Sequence, residues 1–169
     1  MTTTNNYHAT PYDISAAGFY FHNYEDYEAK ARNHRNEYGD VVEEFEIQNV
    51  SGDNYQLFNA LGINQANLKT WFTDFEDMKG TDVVAAIYLA EYLNVDMADI
   101  MDKLDGVSFY EGRAQTYAQD YLTDSGLLDE VPESLKYYID VDAFARDMLL
   151  AGDITEIDIM GTTYVFWDC

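Results

Sequence analysis

Carboxylates are the side chains of this chain most able to do chemistry, and several lie close together. Glu43, Glu44 and Glu46 suggest the paired acid and base of a glycoside hydrolase, which needs two carboxyls at a defined separation across a sugar cleft. Neighbouring strand residues point to opposite faces, so this trio does not supply that geometry. Asp140-Val141-Asp142 and Asp153…Glu156-Ile157-Asp158 offer oxygen ligands for Ca²⁺, but neither has the twelve-residue loop with its mid-loop glycine. His8, His22 and His34 are too scattered for a metal cluster, and none accompanies a nucleophile signature. The chain has no phosphate-cradling glycine loop and no G-x-S-x-G. Its single cysteine, Cys169, is the last residue, which gives no internal disulfide framework and no cysteine metal site. The expectation is a protein without catalytic residues, cofactor or metal.

What remains is charge. The 169 residues carry 32 Asp+Glu against 9 Lys+Arg, a net charge of −23. Self-repulsion on this scale costs stability, and solubility alone gains little from it. Salt adaptation predicts sparse, small apolar residues, whereas this chain has 15 Tyr and 9 Phe and is 47% hydrophobic. Such a chain folds, and its acid surface reads as functional. Duplex DNA carries one negative charge per ~1.7 Å of axis, so the 23 net charges correspond to roughly 40 Å of duplex. A compact chain of this length is also roughly 40 Å across. The charge density is that of DNA to within an order of magnitude.

The elements that carry this charge read as three small units in series. In residues 1–53, Gly18–His22 is a short aromatic strand, and Asn23 with Asp26 caps a helix over Tyr24–His34. Val41–Ile47 alternates, with Phe45 and Ile47 inward and Glu44 and Glu46 outward; Glu43 falls at its fraying start. Tyr7–Thr10 gives only a weak strand signal. Residues 54–105 switch to helical periods over Tyr55–Leu61, Gln65–Phe75, Asp82–Leu93 and Met97–Leu104. The third of these is apolar nearly all round, as the central helix of a bundle is. In residues 106–169, Val107–Tyr110 is a strand and Gly112–Thr123 a helix, and Ile154–Ile159 with Thr162–Trp167 makes a hairpin about Met160-Gly161. The fold class is α+β: an α+β unit, an all-α unit and a second α+β unit. The N-terminal sequence shows no leader and no run is long enough to span a membrane, so a soluble cytoplasmic protein is expected.

Between the helix and the hairpin of the last unit lies VPESLKYYIDVDAFARDMLL, Val131 to Leu150. Pro132, with fixed φ and no N–H to lose, suits the first turn of a short helix. Asp140 caps a second helix whose Val141, Phe144, Ala145 and Met148 recur at i, i+3, i+4 and i+7 as one apolar face. Asp142 and Arg146 are spaced as a helical ion pair, and Gly152 ends the helix.

This wording resembles the antirestriction motif of the ArdA family, small acidic proteins of plasmids, conjugative transposons and phages. Pro132, Leu135, Tyr137, Tyr138, Ile139, Asp140, Phe144, Ala145, Arg146 and Asp147 carry the likeness, with Met148 where leucine is usual. Further likeness lies in Gly18–Ala31, Tyr38–Asn49 and Leu57–Asn64. The resemblance implies an elongated three-domain DNA mimic that dimerises through its C-terminal domain, near the motif. It implies a partner: the DNA-binding groove of a type I restriction–modification enzyme in a bacterial host cell, occupied so that incoming mobile DNA is protected. No nucleic acid and no membrane would be bound. The phosphate surrogates would be Glu25, Glu28, Glu37, Asp40, Glu44, Glu46, Asp74, Glu76 and Asp77 in the first two units. Asp99, Asp102, Asp105, Glu111, Asp120, Asp124, Asp129, Glu130 and Glu133 would continue the series. Tyr137, Tyr138, Phe144 and Met148 would pack the C-terminal domain or its dimer contact, the tyrosine pair closing over the apolar face. The rival reading is an acidic adaptor or chaperone-like protein that binds a basic protein partner; a carboxylate hydrolase is weaker still.

Overall fold

The computed structural model describes residues 5–167; Cys169 lies outside them. The chain divides into two compact units, Met1–Ile100 and Met101–Cys169. Each has a small antiparallel sheet with helices, an α+β architecture throughout.

In the first unit, β1 (Asn6–Pro11) lies between β2 (Phe19–Phe21) and β3 (Phe45–Ser51). The strand with the weakest sequence signal is therefore the central one. Its inward residues, Tyr7 and Ala9, are fully buried while His8 and Thr10 alternate between them. Only one large apolar residue marks that face, which is why periodicity alone barely shows it. β3 keeps the expected phase, with Phe45 and Ile47 in and Glu46 out, but runs four residues later than Val41–Ile47. Its extension places Asn49 inward and Val50 outward, the reverse of their polarity. Val41 instead makes an isolated bridge to Arg35. Helix α1 (Tyr24–Arg32) starts as expected, its Asp26 N–H donating to the Asn23 side chain at 2.8 Å.

The helical part begins with α2 (Tyr55–Ala60). Helix α3 starts at Leu68 rather than Gln65, because Asn64 and Asn67 exchange side-chain hydrogen bonds with the backbone and hold a turn there. Both α3 (Leu68–Thr70) and α4 (Thr81–Ile87) continue into single π-helical turns, Trp71–Phe75 and Tyr88–Tyr92. Val83 to Leu89 are all buried, as an all-round apolar helix requires. α5 (Met97–Lys103) follows, with Ile100 buried and Asp99 and Asp102 exposed.

Residues 1–53 and 54–100 share one core. The Trp71 indole N–H donates to the Tyr7 hydroxyl at 3.0 Å, and Tyr7 donates to Glu76 Oε1 at 3.0 Å. Gln65 accepts from the Phe45 N–H and donates to the Tyr27 hydroxyl, both at 2.8 Å. Asn54, in a left-handed conformation, donates to the carbonyls of Glu76 and Met78. The Tyr7 and Gln65 bonds run across the expected 53/54 boundary, and the core is continuous through it.

The second unit orders its sheet β4 (Ser108–Glu111), β6 (Thr162–Trp167), β5 (Thr155–Ile159). β5 and β6 pair from Thr155↔Phe166 to Ile159↔Thr162. Met160 and Gly161, both at positive φ (52° and 80°), form the tight turn between them. Helices α6 (Ala114–Asp124) and α8 (Val141–Ala151) pack on one face through Ala114, Ala118, Ala145, Met148, Ile154 and Val165. A short α7 (Glu133–Lys136) precedes α8. Among the described residues no helix is long and apolar enough to cross a membrane.

Candidate functional site

The carboxylates leave the backbone on exposed positions of most helices, of the loops between them and of β3. Of the expected phosphate surrogates, all but Glu76 are exposed. Glu76 is half-buried, and its Oε1 accepts from both the Tyr7 hydroxyl and the Asn5 amide, at 3.0 and 3.1 Å. That oxygen ties Asn5 and the central-strand Tyr7 to the helical part of the first unit. Burial drives the Tyr7 phenol far above its usual pKa, opposed by the donated Trp71 N–H.

Further exposed acids stand outside the expected phosphate surrogates: Asp53, Asp82, Glu91, Asp96, Asp142, Asp153 and Asp158. Asp82, Glu91, Asp142 and Asp158 sit on helical turns or on β5, whereas Asp53, Asp96 and Asp153 lie in loops, where periodicity assigns no face. Glu156 has a different role. Its Oε2 accepts from the Ala114 N–H at 2.6 Å, so a strand residue satisfies the first turn of α6 from 42 positions away. No local pattern reveals such a cap.

Few cations answer these acids. The ion pairs among the described residues are Lys30–Asp26, Arg32–Glu28, Lys136–Glu133 and Arg146–Asp147. All are local along the chain and largely in water, where a pair contributes little. With 32 acids against 9 bases, most of the negative charge therefore faces solvent uncompensated. Along α5 and the 3₁₀ turn Leu104–Gly106, Asp99, Asp102 and Asp105 recur every third residue. Among the described residues no group of three or more His, Cys, Asp or Glu is placed to hold a metal ion.

The motif region departs from expectation in two ways. Asp140 caps α8 as read, accepting from the Ala143 N–H at 2.9 Å, and Gly152 closes it at φ 81°. Arg146, however, pairs with Asp147 at 3.3 Å and not with Asp142. Both alternatives are exposed, and the i,i+4 spacing contributes only a few tenths of a kcal/mol. Tyr137 and Tyr138 also do not close over the apolar face. They are 90% and 78% exposed and meet each other edge to face at 5.7 Å. Backbone bonds Tyr138 N–H to Leu135 and Ile139 N–H to Lys136 turn the chain so that Ile139 lies half-buried and both rings point out. Phe144 is half-buried against the core and stacks on Tyr121 at 6.4 Å, while Ala145 and Met148 are buried. Leu135 and Leu150 are exposed as well.

A family model described as antirestriction protein (ArdA) matches residues 7–162, nearly the whole chain. No curated protein matches it.

Proposed function

The chain belongs to the ArdA family of antirestriction proteins, non-catalytic inhibitors, and from that premise we propose that it works as a DNA mimic. The target would be the DNA-binding groove of a type I restriction–modification enzyme. The observation that carries this reading is the exposed, unneutralised acid surface, which includes Asp99, Asp102 and Asp105 along α5 and the turn after it. A groove lined with Lys and Arg to hold DNA releases the same counterions to carboxylates so exposed.

The mechanism needs no single decisive residue. Neutralising Glu44, Asp99 or Asp124 one at a time should raise the half-inhibitory concentration in a type I DNA-cleavage assay by no more than about fivefold. Exposed charge pairs contribute only ~0.2–1 kcal/mol each. Loss of all inhibition on one such change would replace the extended surface with a local site.

We further propose that the protein acts as a homodimer through the apolar residues that the motif leaves exposed: Leu135, Tyr137, Tyr138 and Leu150. Tyr137 and Tyr138 meet edge to face at 5.7 Å in the open, and contiguous exposed apolar surface marks an interaction site. Replacing Tyr137 and Tyr138 together with serine should dissociate the protein in sedimentation without lowering the stability of the chain. Phe144→Ala should do the opposite. Its ring is half-buried within one chain, so about 2 kcal/mol of folding stability is expected, near half the fully buried cost. A stable dimer of the double serine variant would place the interface elsewhere.

A further inference from the structure

Charge alone does not explain one groove of the second unit. It has a volume of about 400 Å³ and is lined by Tyr110, Tyr117, Asp120, Tyr121, Asp124 and Ser125. Four of these, Tyr117, Asp120, Tyr121 and Asp124, stand at i, i+3, i+4 and i+7 of α6, so rings and carboxylates form one stripe. Tyr117 meets Tyr110 edge to face at 5.6 Å and stacks with Tyr121 at 6.0 Å. Tyr121 remains 40% exposed. The Tyr110 hydroxyl donates to Asp120 Oδ2 at 2.7 Å, which fixes that carboxylate beside the rings and leaves Oδ1 to accept from outside. The same bond holds the Tyr110 phenol above its ordinary pKa. Neither Asp120 nor Asp124 pairs with a cation among the described residues.

We propose that this groove takes the guanidinium of an arginine side chain on the partner protein and prefers it to a lysine. The proposal rests on the groove-binding reading above and names the chemistry of one of its contacts. A phosphate attracts both cations. An aromatic face beside a carboxylate distinguishes them, because guanidinium is planar, weakly hydrated and able to stack while its fork donates to the carboxylate. The ammonium of lysine is a compact, strongly hydrated point charge. The rings have no counterpart on a phosphate backbone, so here the protein would hold an arginine of the enzyme in a way DNA does not.

The test is a titration of the full-length protein at physiological salt with an arginine peptide and a lysine peptide of equal length, followed through the tyrosine ring NMR resonances. The arginine peptide should bind about fivefold more tightly, and the Tyr117 and Tyr121 rings should shift. Tyr121→Ser should abolish the difference while leaving the lysine peptide's affinity unchanged. Equal affinities in the wild-type protein, or a preference that survives Tyr121→Ser, would overturn the proposal. The wild-type comparison decides the matter even if that variant does not fold. No restriction enzyme enters this experiment, so a wild-type arginine preference in a protein that duplex DNA fails to displace from its enzyme would keep the groove and remove the mimic.

Discussion

Trp71→Ala is expected to destabilise the first unit by about 3–5 kcal/mol in urea unfolding. Trp71 is fully buried, meets Phe58 edge to face at 5.2 Å, and donates its indole N–H to Tyr7. Removing the indole opens a cavity and takes a donor from a buried hydroxyl that still serves Glu76. Trp71→Phe keeps much of the volume and isolates the missing hydrogen bond, so it should cost less. The same experiment tests the shared core. Tyr7 lies in the central strand and Trp71 in the helical part, so hydrogen exchange in β1 should lose protection together with α3. A β1 that stayed protected in Trp71→Ala would show that residues 1–53 fold as a unit of their own.

The affinity of the protein for a type I enzyme is expected to fall by roughly 10³–10⁵ between 50 and 200 mM salt, as for a DNA ligand making six to ten phosphate contacts. With 32 acids against 9 bases, the protein carries a counterion atmosphere, and docking in a basic groove releases it. The slope of log affinity against log salt then counts the acids engaged. Simultaneous neutralisation of several exposed carboxylates should reduce that slope by about one for each acid that no longer meets a cation of the groove. A flat dependence across this range would mean that apolar surfaces drive binding, and the acid surface would need another purpose.

Much of this was legible in the residues. The α8 cap, its apolar face, the terminal hairpin and the alternation of Phe45 and Ile47 are local patterns, and local patterns survive folding unless tertiary packing overrides them. What could not be read depends on distant partners. β1 is central because Tyr7 finds Trp71 and Phe58 across more than fifty positions. Glu76 appears in sequence as one surface acid among many, and only the position of Tyr7 makes it part of the core. The Tyr137-Tyr138 pair has the composition of a core and the exposure of an interface. Composition reports that these rings need cover, but not whether the cover is the same chain or another.

The central claim, that the acid surface stands in for DNA, is tested most directly by competition. A type I enzyme is loaded with labelled duplex, and the protein is titrated in at several duplex concentrations. If the two occupy one groove, the protein displaces the duplex fully and its midpoint rises in proportion to the free duplex concentration. A stable complex of enzyme, duplex and protein together, or a midpoint independent of duplex, would contradict the mimic.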